Sequence, residues 1–319
     1  MKRSLCICLA VILLSASVSG CGSNKIMLDY KSANTITTTN KVGNKVNPFA
    51  KELAVANTDI AGLLGISVEE QSSAGLFSVN GKEVLYGKNI HERLEPASLT
   101  KIMTALVALK YGNTEELITC SDEVTNIDYD ATKIGLKAGD QLTVNQALHA
   151  ILISSANDCS IAIAEHVAGS VDAFCDLMNK EALALGATNT HFSNPHGLTA
   201  EDHYTTVYDL YLITNEAIKY SVFNEIVQMN EYESVYNDNM GIEKPFVCKT
   251  TNLFLRGDYS APDKVTVIGG KTGTTNAAGN CLVLIVKDTA GNPYIGVILR
   301  ASQRTVVNEE MAEILREIN

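Results

Sequence analysis

The chain has 319 residues, of which 46% are hydrophobic and 19% charged, an ordinary globular composition able to bury one large core or two modest ones. Its formal charge of −11 argues against a protein that tracks a phosphate backbone, because such binding needs clustered Lys and Arg. Nucleic acid is therefore not an expected partner.

In chain order, Lys2 and Arg3 precede an apolar run from Leu5 to Leu14 and then small residues, the pattern of an export signal over 1–20. That run is too short to span a bilayer as a helix. Residues 21–58, rich in Asn, Thr, Ser and Lys, read as a flexible tether ahead of a folded region over 59–319. Between Gly75 and Lys88, two apolar stretches flank Asn80-Gly81, which predicts a hairpin with a two-residue type I′ turn. Helical patterns dominate from Ser98 to about Tyr220. A helix apolar on most sides begins at Ser98 and runs to Tyr111, with Gly112 at its C-terminal cap. Thr143 and Gln146 form a capping box, a helix spans Val171 to Leu185, and another follows Thr206, with Asp209 three positions on. Strand patterns return at Val265–Gly270, Cys281–Lys287 and Tyr294–Arg300, and a last helix covers Asn308–Ile318. Strands, then helices, then strands predict an α+β fold, with one sheet assembled from both ends of the chain and a helical insertion over about 113–220.

Three short motifs stand in order: Ser98-Leu99-Thr100-Lys101, Ser155-Ala156-Asn157 and Lys271-Thr272-Gly273. Each alone is a weak signal. Their weight comes from placement. On a helix, Lys101 lies one turn from Ser98 on the same face, where an amine reaches a hydroxyl. Ser155 and Asn157 fall between two helices, and Lys271 is expected to end a strand whose Gly269 and Gly270 admit close approach by a ligand backbone. Together the motifs form the set shared by class A β-lactamases and penicillin-binding proteins. A zincin is excluded because His91-Glu92 meets Glu95 where a second His is required, and an NTPase because Val265 stands where a phosphate loop needs glycine. The cysteines beyond Cys21 (Cys120, Cys159, Cys175, Cys248, Cys281) lack metal-ligand spacing and read as buried small hydrophobes; no metal or cofactor is expected.

From about Ile60 to the C-terminus the chain resembles the low-molecular-mass D-alanyl-D-alanine carboxypeptidases. The stretches that carry the likeness are Pro96–Thr104, Leu152–Asp158, Asn194–Leu198 and Gly270–Thr275. The resemblance implies an antiparallel sheet flanked by helices, an all-helical subdomain, and an active site between them. It further implies that Ser98 attacks the peptide between two D-alanines while Lys101 takes its proton, which requires a lysine pKa well below ~10.4. Ser155 would relay a proton to the leaving amine, and Asn157 would position Lys101. The Ser98 and Thr274 N–H groups would form an oxyanion hole. Lys271, Thr272, Gly273 and Thr274 would hold the terminal carboxylate, with Arg304 either joining them or standing as a solvated surface arginine. Asn194–Leu198 reads as a structural turn.

The expected substrate is a peptidoglycan stem peptide ending in D-Ala-D-Ala, with β-lactams as covalent inhibitors. A class A β-lactamase is the nearest rival, but the stretch Asn189–Pro195 offers no glutamate of the Glu-x-x-Leu-Asn kind, and Ala156 favours the carboxypeptidases. A non-catalytic lipoprotein that binds cell-wall peptides is the other alternative. Val18-Ser19-Gly20-Cys21 resembles a bacterial lipobox; either Cys21 is lipidated and holds the protein at the outer face of the cell membrane, or the leader is simply cleaved. Many relatives end in a small β-rich domain and an amphipathic anchor, and the lipid on Cys21 is expected to take that anchor's place.

Overall fold

The structure, a computed structural model, describes residues 52–318; the leader, Cys21 and all of the tether before Glu52 lie outside the described residues. Strands β1 (Ser73–Ser78) and β2 (Glu83–Lys88) come from the N-terminal side. They join β7 (Thr266–Thr275), β8 (Gly279–Lys287) and β9 (Pro293–Ala301) in one antiparallel sheet of order β2-β1-β9-β8-β7. The two chain ends meet where Ala74 pairs with Ile298 and Phe77 with Ile295. This is the sheet expected from the strand–helix–strand order, and the α+β class holds.

Alternation along the strands sends side chains to opposite faces. Phe77, Val283, Ile285 and Val297 pack on the helices, where Phe77 stacks on Tyr211 at 4.3 Å between ring centroids. Leu76, Leu284 and Ile298 meet Met311 and Ile314 on the opposite face. Because β8 is covered on both faces, Cys281 to Val286 is apolar without interruption and fully buried.

The helices are α1 (Thr100–Tyr111), α2 (Val144–His149), α3 (Asn157–Ala168), α4 (Val171–Ala184), α5 (Val207–Ala217), α6 (Ser221–Val227) and α7 (Arg304–Ile314). Every residue of α1 from Thr100 to Ala108 is buried, as its all-round apolar pattern requires. The capping box at Thr143 and Gln146 is formed, and Thr206 accepts the Asp209 N–H at the start of α5. Gly112 is the C-terminal cap of α1, where a Cβ would approach the Ala108 oxygen to 2.8 Å.

Several expectations are corrected. The helical region, expected to be all-helical, also carries β3 (Leu117–Thr119) and β4 (Gln141–Thr143), which join β5 (Glu231–Asn237) and β6 (Glu243–Lys249) in a second antiparallel sheet. β3 and β4 are too short for a readable period, and β5 alternates only between exposed and half-buried positions. The first hairpin turns over four residues, since Ser78 pairs with Glu83. The positive φ falls on Lys82, and Ser78 Oγ accepts the Gly81 N–H at 3.1 Å. α7 begins at Arg304, four residues earlier than expected. β7 does not end at Gly270 but runs on to Thr275. Gly269 and Gly270 make room for protein backbone, not a ligand: Cβ atoms there would lie 2.3 Å from the Val227 oxygen and 2.1 Å from the Val283 oxygen.

Candidate active site

Ser98 does not open an α-helix, as its motif suggested. It sits in a short 3-10 turn, Ala97–Leu99, immediately ahead of α1, because Ala97 takes a left-handed φ of 47° that no α-helix accommodates. Lys101 still lies one turn on, and its Nζ is 3.0 Å from Ser98 Oγ. The same amine donates to Asn157 Oδ1 at 2.7 Å and to the His196 carbonyl at 2.5 Å. Lys101 is wholly buried, and its pKa is driven well below the ordinary lysine value by that burial and by the Lys271 charge, against smaller opposing effects of Asp158 and Cys159.

Ser155 follows a single π-helical turn, Ala150–Ser154, and has a left-handed φ of 69°. That twist ends one helix, and α3 starts at Asn157. Its neighbour Asp158 accepts N–H groups from Gly135 at 2.8 Å and Leu136 at 3.1 Å, and the Asn157 N–H donates to Thr132 O at 2.8 Å. The loop that carries Thr132 is thereby tied to the second motif.

Lys271, in the middle of β7, crosses to Ser155 Oγ at 3.1 Å and donates to Thr272 O at 2.8 Å. Burial alone lowers its pKa to about 7. Gly273 passes so close to the Ala97–Ser98 turn that a Cβ would stand 3.0 Å from Ser98 N. A side chain at position 273 would press on the Ala97–Ser98 turn, so glycine lets β7 lie close alongside the serine.

Ser98, Ser155, Thr272, Gly273, Thr274 and Arg304 line one cavity of about 190 Å³. Lys101, Asn157 and Lys271 support it from behind, buried below one-tenth exposure. Arg304 borders the cavity and donates to Thr251 O at 3.0 Å, and Thr251 Oγ1 is 2.5 Å from Thr272 Oγ1. The structure thus brings together all three motifs and Arg304. The cysteines expected to be buried are all buried and unpaired; Cys281 borders the cavity, its thiol pushed up to about 12 by burial.

Sequence reasoning missed the contribution of Asn194–Leu198. Asn194 Oδ1 accepts the Gly197 N–H at 2.7 Å, its amide donates to Leu198 O at 2.9 Å, and the resulting tight turn delivers the His196 carbonyl to Lys101. Thr104 secures the same turn by donating to Pro195 O at 2.6 Å. The motif was visible, but a backbone carbonyl leaves no signal in residue type.

The fold is that of the DD-transpeptidases and carboxypeptidases, the β-lactamase-like class: a Streptomyces K15 DD-transpeptidase structure superposes with a TM-score of 0.71 at 27% identity, covering 79% of this chain and 98% of that one. The D-alanyl-D-alanine carboxypeptidase model, peptidase S11, matches residues 68–303, and the chain belongs to that family. D-alanyl-D-alanine carboxypeptidase DacF of Bacillus subtilis is 35% identical over 272 residues, 84% of this chain and 65% of its own length. DacA of Escherichia coli K12 is 35% identical over 228 residues, 69% of this chain and 53% of its own. The chain therefore spans between about half and two-thirds of these curated relatives.

Proposed function

We propose that this protein is a serine-type D-Ala-D-Ala carboxypeptidase that removes the terminal D-alanine of peptidoglycan stem peptides through an acyl-enzyme on Ser98. The observation that carries this reading is the surroundings of Lys101 Nζ. Two of its three partners, Asn157 Oδ1 and the His196 carbonyl, can only accept hydrogen bonds. A neutral amine has two protons, which these oxygens take, and its lone pair then faces the Ser98 hydroxyl at 3.0 Å. Burial and Lys271 favour that neutral form. Lys101 accepts the Ser98 proton as Oγ attacks the carbonyl carbon, and the N–H groups of Ser98 and Thr274 take the developing oxyanion. The proton that Lys101 took returns through Ser155 Oγ, beside Lys271 Nζ, to the departing amine as the C–N bond breaks, and water then hydrolyses the Ser98 ester and frees the serine. Thr272, Thr274 and Arg304 on the cavity wall receive the substrate carboxylate, and Lys271 adds positive charge from behind.

Among the described residues no carboxylate side chain lines the cavity, which supports slow deacylation and a long-lived penicilloyl adduct over β-lactamase turnover. The test is D-alanine release from diacetyl-Lys-D-Ala-D-Ala together with labelling by a fluorescent penicillin. Wild type should release D-alanine and keep the label, and Ser98→Ala should do neither; absence of release by wild type would sink the proposal.

The same reading places the protein at the outer face of the cell membrane, held by a lipid on Cys21 after removal of residues 1–20, with the catalytic domain over 59–319. Among the described residues no helix is long and apolar enough to cross a membrane. The lipobox-like Val18–Cys21 supports the anchor. Cys21→Ser should move the protein from the membrane fraction to the soluble one, and an unchanged membrane fraction would rule the lipid out.

A further inference from the structure

The peptide unit between Ala97 and Ser98 is one rigid plane with the Ala97 carbonyl on one side and the Ser98 N–H on the other. Whatever holds the carbonyl therefore aims the N–H. Ala97 O accepts from the Thr100 backbone N–H and, at 2.8 Å, from Thr100 Oγ1, and His203 Nε2 lies 2.8 Å from that hydroxyl. The Ser193 N–H donates to His203 Nδ1 at 3.1 Å, so Nδ1 carries no proton and the neutral ring holds its proton on Nε2. The hydrogen bonds then run in one direction, from Nε2–H to the Thr100 oxygen and from the Thr100 hydroxyl to Ala97 O. Thr100 and His203 are 0% and 2% exposed, so water does not compete for either group. Burial lowers His203 to about 4, in keeping with a neutral ring. Gly197 closes the other side of the carbonyl, where a Cβ would stand 1.9 Å from Ala97 O.

The geometry points to Thr100 and His203 as positioning residues that hold and polarise the Ala97–Ser98 peptide, so that the Ser98 N–H is presented to the oxyanion. A hydrogen bond accepted at the carbonyl makes the N–H of the same amide a stronger donor. The relay also holds Ala97 in its left-handed conformation, with φ of 47°. This inference rests on the proposed acyl-enzyme on Ser98 and adds residues that touch neither substrate nor nucleophile.

Thr100→Val removes the hydroxyl at nearly constant shape, and Thr100→Ser keeps it. For folded Thr100→Val, acylation by penicillin and kcat for D-alanine release should fall ~10- to 100-fold, with KM changed less than about threefold. Affinity for a peptide boronic acid, whose tetrahedral adduct places an oxygen in the oxyanion hole, should fall in parallel with acylation. Thr100→Ser should stay within about threefold of wild type. If Thr100→Val does not fold, His203→Gln, which retains an N–H donor, and His203→Leu, which does not, make the same comparison. A folded variant without the donor that acylates like wild type, or that loses acylation while keeping boronate affinity, overturns the relay. A wild type that neither acylates nor releases D-alanine overturns the functional reading instead.

Discussion

Two buried lysines at one cavity pose an electrostatic conflict for the proposed mechanism, in which Lys101 must be neutral to accept a proton while Lys271 serves as a cation. Their surroundings divide the roles. Burial and the Lys271 charge together depress Lys101, whereas burial is the sole cause that brings Lys271 to about 7. In the free enzyme kcat/KM should therefore rise as Lys101 loses its proton, below the ordinary lysine range, and fall through about pH 7 as Lys271 loses its own. A bound carboxylate favours charged Lys271, so the alkaline limb of kcat should lie higher than that of kcat/KM. Rates with the D-alanyl peptide across pH check this; kcat/KM that climbs without a break to pH ~10 would contradict it. The linked stability follows the same sign. Between about 7 and the ordinary value of 10.5 the unfolded chain binds a proton at Lys271 that the folded chain does not, so this group's contribution to stability rises with pH through that window. Below it the full cost of burying the charge is present. Lys271→Met should then stabilise the protein at neutral pH by ~1–4 kcal/mol, less as pH approaches 10, while activity is lost. Denaturant unfolding at both pH values measures it.

At the scale of elements, the serine depends on turns as much as on helix α1. Gly197 combines a φ of 88° with a Cβ position 1.9 Å from Ala97 O, so Gly197→Ala must break either the turn or the Ala97–Ser98 geometry. It should cost about 3 kcal/mol or more and abolish penicillin labelling. Gly241, with a φ of 77° and nothing within 4 Å of its Cβ position, is the control. Gly241→Ala should cost only ~1 kcal/mol and leave labelling intact, by thermal melts and gel fluorescence. What could be read in advance at this scale was local chemistry: the capping box at Thr143 and Gln146, the Thr206 cap, and the buried pattern of α1. β5 and β6 were not legible, because Ser234 and Lys244 stand on the inner face among Tyr232, Phe246 and Cys248, while Val235 and Val247 stand on the outer one, and both break the alternation of apolar and polar residues. The four-residue turn after β1 was also hidden. Asn80-Gly81 signals a tight turn, but only the pairing of Ser78 with Glu83 shows its length.

For the whole molecule, the pairing of β1 with β9 closes the sheet from the two ends of the chain and sets β7 at an edge facing Ser98 and Ser155. The segment before β1 is bound to the same body: the Ala54 N–H donates to Tyr211 Oη at 2.9 Å, and Leu63 and Leu64 each donate an N–H to Glu317 at 2.8 Å. Glu317 is 2% exposed, so its carboxylate depends on those donors. Glu317→Ala should lower stability by ~2 kcal/mol, or ~4–8 °C in Tm, without changing penicillin acylation, since it stands outside the cavity. Calorimetry alongside labelling tests both halves.

The pairing of Ser98 with Lys101, the proposed nucleophile and base, was legible along the chain, because the two are one helical turn apart and that spacing is local. So were the order of the motifs and the class of fold, through hydrophobic period and caps. That the His196 carbonyl completes the Lys101 environment, that Lys271 reaches Ser155, and that Arg304 borders the cavity followed from packing between distant segments. Those contacts join residues 95, 116 and more positions apart. They form when β7 and the Asn194–Leu198 turn close around the serine, and no residue spacing encodes such an approach. Ser98 stands ahead of α1 for the same reason: Gly197 and Gly273 press on Ala97 from distant parts of the chain, and packing there outweighs the local preference for a helix.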